Sequence, residues 1–346
     1  MTNFPNSQAT VEYLREAREY LDKHDLSEIP IRVKELVKEH DKWRVDSCIN
    51  MIASENILSP TAKALMGTDF AGRVAEGYVG NKMYKGHRYT DQIEAFVVEQ
   101  AKRLYNVRYV DYRPTSGATT NAVAFNAFTN PGDVVASLTI PAGAHISYRR
   151  FGVAGFHGLK VVDIPFDTDN YEFDLDALEH VVKSNLPKQV IIGASVMLFP
   201  YPLRRMKEIV EETGSKIMYD GAHVMGLIAG KRFQDPLKEG ANVLCGSTHK
   251  TFPCGLGGLL LWNNEEYTEP IHAACYPGIV ASHGPLNRLV SMAVVLAELL
   301  AFGEGYADQV VRNAKVFAKS AHEQGLNPLY ESRGYTESRA RRQVER

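Results

Sequence analysis

Short apolar runs alternate with amphipathic stretches over much of this chain, and that alternation points to its fold class. "GDVVASL", "LKVVDIPF", "QVIIGAS", "SKIMYD" and "NVLCGS" are short, rich in β-branched side chains and poor in charge. They predict strands covered on both faces. Between them, "LDALEHVVKSN" and "LRRMKEIVEETG" place apolar residues at helical spacing, the second closing at Gly214; "IEAFVVEQAKRLYN" predicts a helix upstream. Alternation of this kind from about 92 to 262 predicts an α/β fold: a mostly parallel central sheet with helices on both faces.

Outside that region the pattern changes. Residues 8–44 predict two amphipathic helices, with Val11, Leu14 and Leu21 on one face and Leu36 and Val37 on the next. From about 45 to 90, "MIASENILSP" and "RVAEGYVGNKMYKGHRYTD" break into glycines, tyrosines and polar groups, and long loops of this kind are usually functional. A helix pair is expected at 285–325, leading into a smaller terminal domain. The expected division is an N-terminal helical arm (1–50), a large cofactor-binding domain (51–285), and a linking helix with an incomplete small C-terminal domain (286–346).

Composition narrows the function classes. The chain has 346 residues, 45% hydrophobic, with Lys+Arg 39 against Asp+Glu 41 and a net charge of -2. Neither sign dominates, so no nucleic-acid or anionic-membrane partner is expected. "LVSMAVVLAELLAFG" is interrupted by Glu298 and reads as a buried helix, not a membrane span. No basic segment followed by an apolar core opens the chain, and Cys48, Cys245, Cys254 and Cys275 show no CxxC spacing. A reducing, cytoplasmic setting and no cysteine-based metal site follow as expectations. No HExxH, GxxxxGK or strand-following GxGxxG motif is present.

In a sheet of this kind, ligands sit beyond the carboxyl ends of the strands. There the sequence puts Ser116-Gly117-Ala118 at a turn opening a helix, His145, Asp220 with His223, and His249-Lys250. Each has a plain structural reading: a helix cap, a turn residue, a solvent-facing lysine. Together they are what pyridoxal phosphate needs. Lysine supplies the amine that bonds the aldehyde, aspartate pairs with the protonated ring nitrogen, a histidine stacks on the ring, and free N–H groups at a helix N-terminus hold the phosphate.

The segments "IASEN", "AEGYVG", "SGAT", "GAH", "YDGAHVMGLIAG" and "THKT" resemble serine hydroxymethyltransferase, in order, from about 45 to about 335. The resemblance implies the aspartate-aminotransferase-like fold (pyridoxal-phosphate fold type I), pyridoxal 5'-phosphate as cofactor and tetrahydrofolate as co-substrate. It implies that Lys250 binds the cofactor with His249 beside it, that Asp220 meets the pyridine nitrogen and His223 the ring's 3-oxygen, and that His145 stacks. Ser116 and Gly117 would hold the phosphate, Ser195 would add a cofactor contact, and Ser54 would lie against the amino acid. Glu76 and Tyr84 would reach into the neighbouring subunit's site, Glu76 as acid/base at the substrate hydroxyl. Gly284 would contact the other subunit's phosphate. A homodimer with shared sites is therefore expected, acting on a small amino acid.

Three departures from the family pattern stand out. Leu256 replaces an arginine, Val74 replaces a substrate-side tyrosine, and after "LYESRGYTES" the chain reads "RARRQVER" and stops. In the family the segment beyond carries the arginine that clamps the substrate carboxylate and part of the folate contacts. The ending reads as a truncation or frameshift, or as a naturally short, exposed end. Two other readings stay open: a folate-independent β-hydroxy-amino-acid aldolase or threonine transaldolase-like enzyme, and an inactive cofactor-binding remnant. A nicotinamide dehydrogenase lacks its glycine fingerprint here.

Overall fold

A computed structural model of the chain describes residues 7–276 and 284–330. Contacts divide the chain into two units, Met1–Ile52 and Ala53–Arg346. The first is helical. Ser7 caps the helix Gln8–Lys23 by accepting from the Thr10 amide at 3.1 Å, and a capping box of Asp25 and Glu28 precedes the helix Ile29–Asp41. No residue from 7 to 52 is buried, so the stripes of Val11, Leu14, Leu21, Leu36 and Val37 are exposed.

The second unit is built on a seven-stranded sheet. Its order is Tyr109–Asp111, Gly258–Trp262, Val243–Ser247, Lys216–Asp220, Gln189–Gly193, Val134–Ser137 and Lys160–Asp163. The last five pair in parallel; only Gly258–Trp262 runs against the rest. Every position of Gln189–Gly193, Val243–Ser247 and Gly258–Trp262 is buried. Alternate side chains of a strand point to opposite faces, so both faces are covered there. Leu203, Met206, Ile209 and Val210 bury one stripe of the helix Leu203–Glu211, which ends ahead of Gly214 at φ 70°.

Four expectations need correction. "LKVVDIPF" is not one strand: Pro165, which has no N–H for the ladder, separates Lys160–Asp163 from Phe166–Asp167, and the latter pairs with Glu172–Phe173 in a separate hairpin. The region 45–90 is not all loop. It holds the helix Pro60–Leu65 and a hairpin of Gly77–Tyr78 with Asn81–Lys82. Next, the helix expected from Ile93 begins at Arg88. Finally, the helix pair at 285–325 is a single 38-residue helix, Leu286–Glu323. Gly230 lets its loop pack closely on this helix: a Cβ there would lie 2.4 Å from both Gly303 O and Ala307 Cβ.

By length and composition alone Leu286–Glu323 could cross a membrane, yet its Leu289, Met292, Val295, Leu296 and Leu299 are buried in the core. That agrees with the buried helix read from "LVSMAVVLAELLAFG". The basic tail, and whatever of the expected small domain falls at 331–346, lie outside the described residues.

One close approach aligns two strand ends. A Cβ on Gly193, at φ +155°, would lie 2.4 Å from the carbonyl oxygen of Asp220 and 2.8 Å from its Cβ. Gly193→Ala is expected to cost about 2–4 kcal/mol through overpacking and backbone strain. Denaturant unfolding checks this, and an unchanged midpoint would contradict it.

Candidate active site

The cavity at the carboxyl ends of the strands, about 360 Å³, is lined by Ser54, Ser116, Gly117, Ala118, His145, Ser195, Asp220, His223, His249 and Lys250, together with Ala194, Ala222 and Ser247. Every candidate site residue named from the sequence is on that wall except Glu76, Tyr84 and Gly284. Its volume falls in the range of small-ligand sites, roughly 300–1,000 Å³.

Local structure explains each placement. Lys250 follows the strand Val243–Ser247 in a loop folded back by its glycines: Thr248 N donates to Gly257 O at 3.0 Å and Thr248 Oγ1 to Gly255 O at 2.8 Å. The ammonium or amine of Lys250 lies 2.9 Å from His223 Nε2. His223 is held in turn, because Thr251 Oγ1 donates to its carbonyl at 2.8 Å. Asp220 ends the neighbouring strand and is 6% exposed. Its Oδ1 accepts from Ala222 N at 3.0 Å and its Oδ2 from Asn121 Nδ2 at 2.9 Å.

Ser116 caps the helix Gly117–Phe128 through its Oγ, which accepts from Thr119 N at 3.1 Å. Its own N–H is not free, as the sequence reading expected, but donates to Thr119 Oγ1 at 2.7 Å. The first-turn amides of Gly117 and Ala118, which a helix cannot satisfy internally, remain for a ligand. Ser195 N donates to Gly143 O at 2.5 Å, leaving its hydroxyl on the cavity wall.

Sequence reasoning missed the residues behind this wall. Asn121 Nδ2 donates to Ser147 Oγ at 2.9 Å as well as to Asp220, and Ser147 Oγ lies 2.8 Å from His145 Nδ1. Ser147 N also donates to that nitrogen at 3.2 Å, so Nδ1 is an acceptor and the ring proton sits on Nε2. A polar residue inside the small-residue helix 117–128 was the available signal for Asn121; its partners lie far away in sequence.

The three residues off the wall have a common character. Glu76 and Tyr84 flank the hairpin 77–82, Glu76 half-buried and Tyr84 51% exposed. The hairpin is fastened to the helix Arg88–Tyr105 by the buried Lys82–Glu94 ion pair and by Gly80 N donating to Asp91 Oδ1 at 3.0 Å. Gly284 lies against Arg113, whose carbonyl oxygen would be 3.0 Å from an added Cβ. Val74 and Leu256 are exposed.

This donor set fits pyridoxal phosphate: an amine, a held carboxylate, a ring-bearing side chain and a helix N-terminus face one cavity. Among the described residues no group of three or more His, Cys, Asp or Glu could hold a metal ion.

Comparison with known proteins points the same way. A family model described as serine hydroxymethyltransferase matches residues 26–332. A serine hydroxymethyltransferase of Methanosphaera stadtmanae is 42% identical over 307 residues, covering 89% of this chain and 72% of the relative. One from Korarchaeum cryptofilum is 44% identical, covering 89% and 73%, and one from Methanocaldococcus jannaschii is 42% identical, covering 91% and 72%.

Burial first, and then the neighbouring Lys250 charge, push the His249 pKa down from its usual 6.5 to about 4. The unfolded chain therefore takes up a proton between pH 6.5 and 4 that the folded chain refuses. This group's contribution to stability is full above pH 6.5 and is lost as pH falls toward 4. His249→Asn should lose stability less steeply across that window in denaturant titrations. A His249 ring that titrates near 6.5 by NMR would contradict the assignment.

Proposed function

Because the chain belongs to the serine hydroxymethyltransferase family, we propose that the cavity at the strand ends is its active site. The protein is a pyridoxal-phosphate-dependent transferase of fold type I. It interconverts serine and glycine, with tetrahydrofolate as the one-carbon co-substrate. The aldolase and inactive-remnant readings are not favoured by relatives named for hydroxymethyl transfer. The observation that carries the site assignment is one wall shared by Lys250, Asp220, His223, His145 and the 116–118 helix start.

Each residue has a task on this reading. Bound pyridoxal phosphate supplies the electron sink that lets the Cα–Cβ bond of serine break. Lys250 would supply the amine for its aldehyde carbon, and Asp220, held by Asn121 and Ala222, would pair with the protonated ring nitrogen. His223 would serve the ring's 3-oxygen and His145 would stack on the ring, its tautomer set by Ser147. Ser116, Gly117 and Ala118 would hold the phosphate at the helix N-terminus, Ser116 through its side chain and the other two through their unpaired amides, where the helix dipole favours an anion. The Ser195 hydroxyl adds a cofactor contact. His249, neutral at pH 7, offers hydrogen bonding beside Lys250 without a second positive charge. Ser54 lies against the amino acid.

Glu76 moves the proton at the serine hydroxyl and Tyr84 meets the substrate, both from a neighbouring copy whose Gly284 turn approaches the phosphate. Two observations support a homodimer. The hairpin bearing Glu76 and Tyr84 is off the cavity wall of its own chain, and the apolar stripes of 8–44 are exposed. The arm at 1–50, the cofactor domain at 51–285 and the linking helix with small domain at 286–346 go with this division of labour. A cytoplasmic location goes with Cys48, Cys245, Cys254 and Cys275 all being free thiols.

Glu76→Gln should lower serine cleavage by about 10²–10⁴-fold without changing bound cofactor, and glycine formation should require tetrahydrofolate. Mixing Glu76→Gln chains with Lys250→Ala chains should restore activity, because a mixed dimer holds one site with both residues intact. Absence of recovery after subunit exchange would contradict the shared site. Equal rates with and without folate would contradict the co-substrate.

A further inference from the structure

We propose that Asn56 and Tyr306 are positioning residues that together hold the main chain at Lys250 and Thr251, keeping the lysine side chain aimed into the cavity. Asn56 Nδ2 donates to Lys250 O at 2.6 Å and to Tyr306 Oη at 2.8 Å, and Tyr306 Oη donates to Thr251 O at 2.8 Å. One amide thus spends both its hydrogens on this contact, and the phenol both accepts and donates. The remaining Asn56 oxygen accepts from Ile57 N at 2.8 Å, so the side chain is oriented from both ends.

The need for such a clamp follows from the sheet. The ladder between Val243–Ser247 and Gly258–Trp262 ends at the pair Ser247 and Gly258. Lys250 and Thr251 lie beyond it, so their carbonyls take partners from other parts of the chain. Those partners are a loop residue near position 50 and a residue of the long helix Leu286–Glu323. Burial raises the Tyr306 pKa, so its hydroxyl keeps the proton that Thr251 O receives.

The clamp closes a circuit. Thr251 Oγ1 donates to His223 O and accepts from Gly226 N at 3.1 Å, and His223 Nε2 meets Lys250 Nζ. Any slide of the 250–251 backbone therefore moves His223 with it. Ser54, two residues before Asn56, lines the same cavity. Asn56 thus seats the substrate-side loop on the cofactor-side loop with a single side chain.

This inference rests on Lys250 being the cofactor amine, and its test separates the two. The full-length apo chain is titrated with pyridoxal phosphate, following visible absorbance of the lysine-bound cofactor, and thermal unfolding of each apo chain is measured alongside. Asn56→Ala and Tyr306→Phe should each raise the cofactor dissociation constant about 10-fold. The double variant should lose less than the product of the two, since both remove the same Asn56–Tyr306 hydrogen bond. A lower unfolding midpoint with an unchanged dissociation constant overturns the clamp, as do fully multiplicative losses. Tyr306→Phe removes one hydroxyl and keeps the test available if Asn56→Ala fails to fold. Lys250→Ala is the control: a visible band that survives in it overturns the amine assignment, whatever the other variants do.

Discussion

The pairing of Cys245 with Asp220 in adjacent parallel strands is the constraint on which the site depends. That register brings two strand ends to the same edge of the sheet. His223 and Lys250 then follow at distances along the chain that bring Nε2 and Nζ to 2.9 Å. A slip of one residue would turn each side chain of a strand to the other face. Neighbouring registers reinforce the arrangement: Gly193 pairs with Asp220, and its missing side chain makes room for that residue's backbone.

Around this edge the molecule uses polar residues from distant segments as fasteners. Asn121 and Ser147 join Asp220 to His145, so two side chains of the cavity wall share one hydrogen-bonded chain. Thr251 joins His223 to the lysine loop. Buried hydrogen bonds of this kind each contribute only about 1 kcal/mol net, but leaving such a group unpaired costs more. Their effect is on geometry: they restrict where the cavity-facing side chains can go.

Much of this was legible in the sequence, for a physical reason. Strands buried on both faces leave uninterrupted apolar runs, and a parallel sheet collects whatever follows them at one edge; hence Asp220, His223, His249 and Lys250 could be grouped without coordinates. Three kinds of feature could not. Polar partners such as Asn121 and Tyr306 sit on helices, where their own neighbourhood gives no sign of a distant acceptor. The strand Gly258–Trp262 was hidden because its glycine start merges with the glycine-rich loop, and its antiparallel course is a tertiary fact. The hairpin 77–82 was read as loop because its strands are two residues each, too short for periodicity to show.

The central claim is that the amine at 250 bonds the cofactor. Borohydride reduction of the holoenzyme, followed by proteolysis and mass mapping, tests it most directly. The account predicts a pyridoxyl phosphate mass increment on the peptide containing Lys250. An increment confined to another lysine, or none on a chain that carried the cofactor's colour, would contradict it.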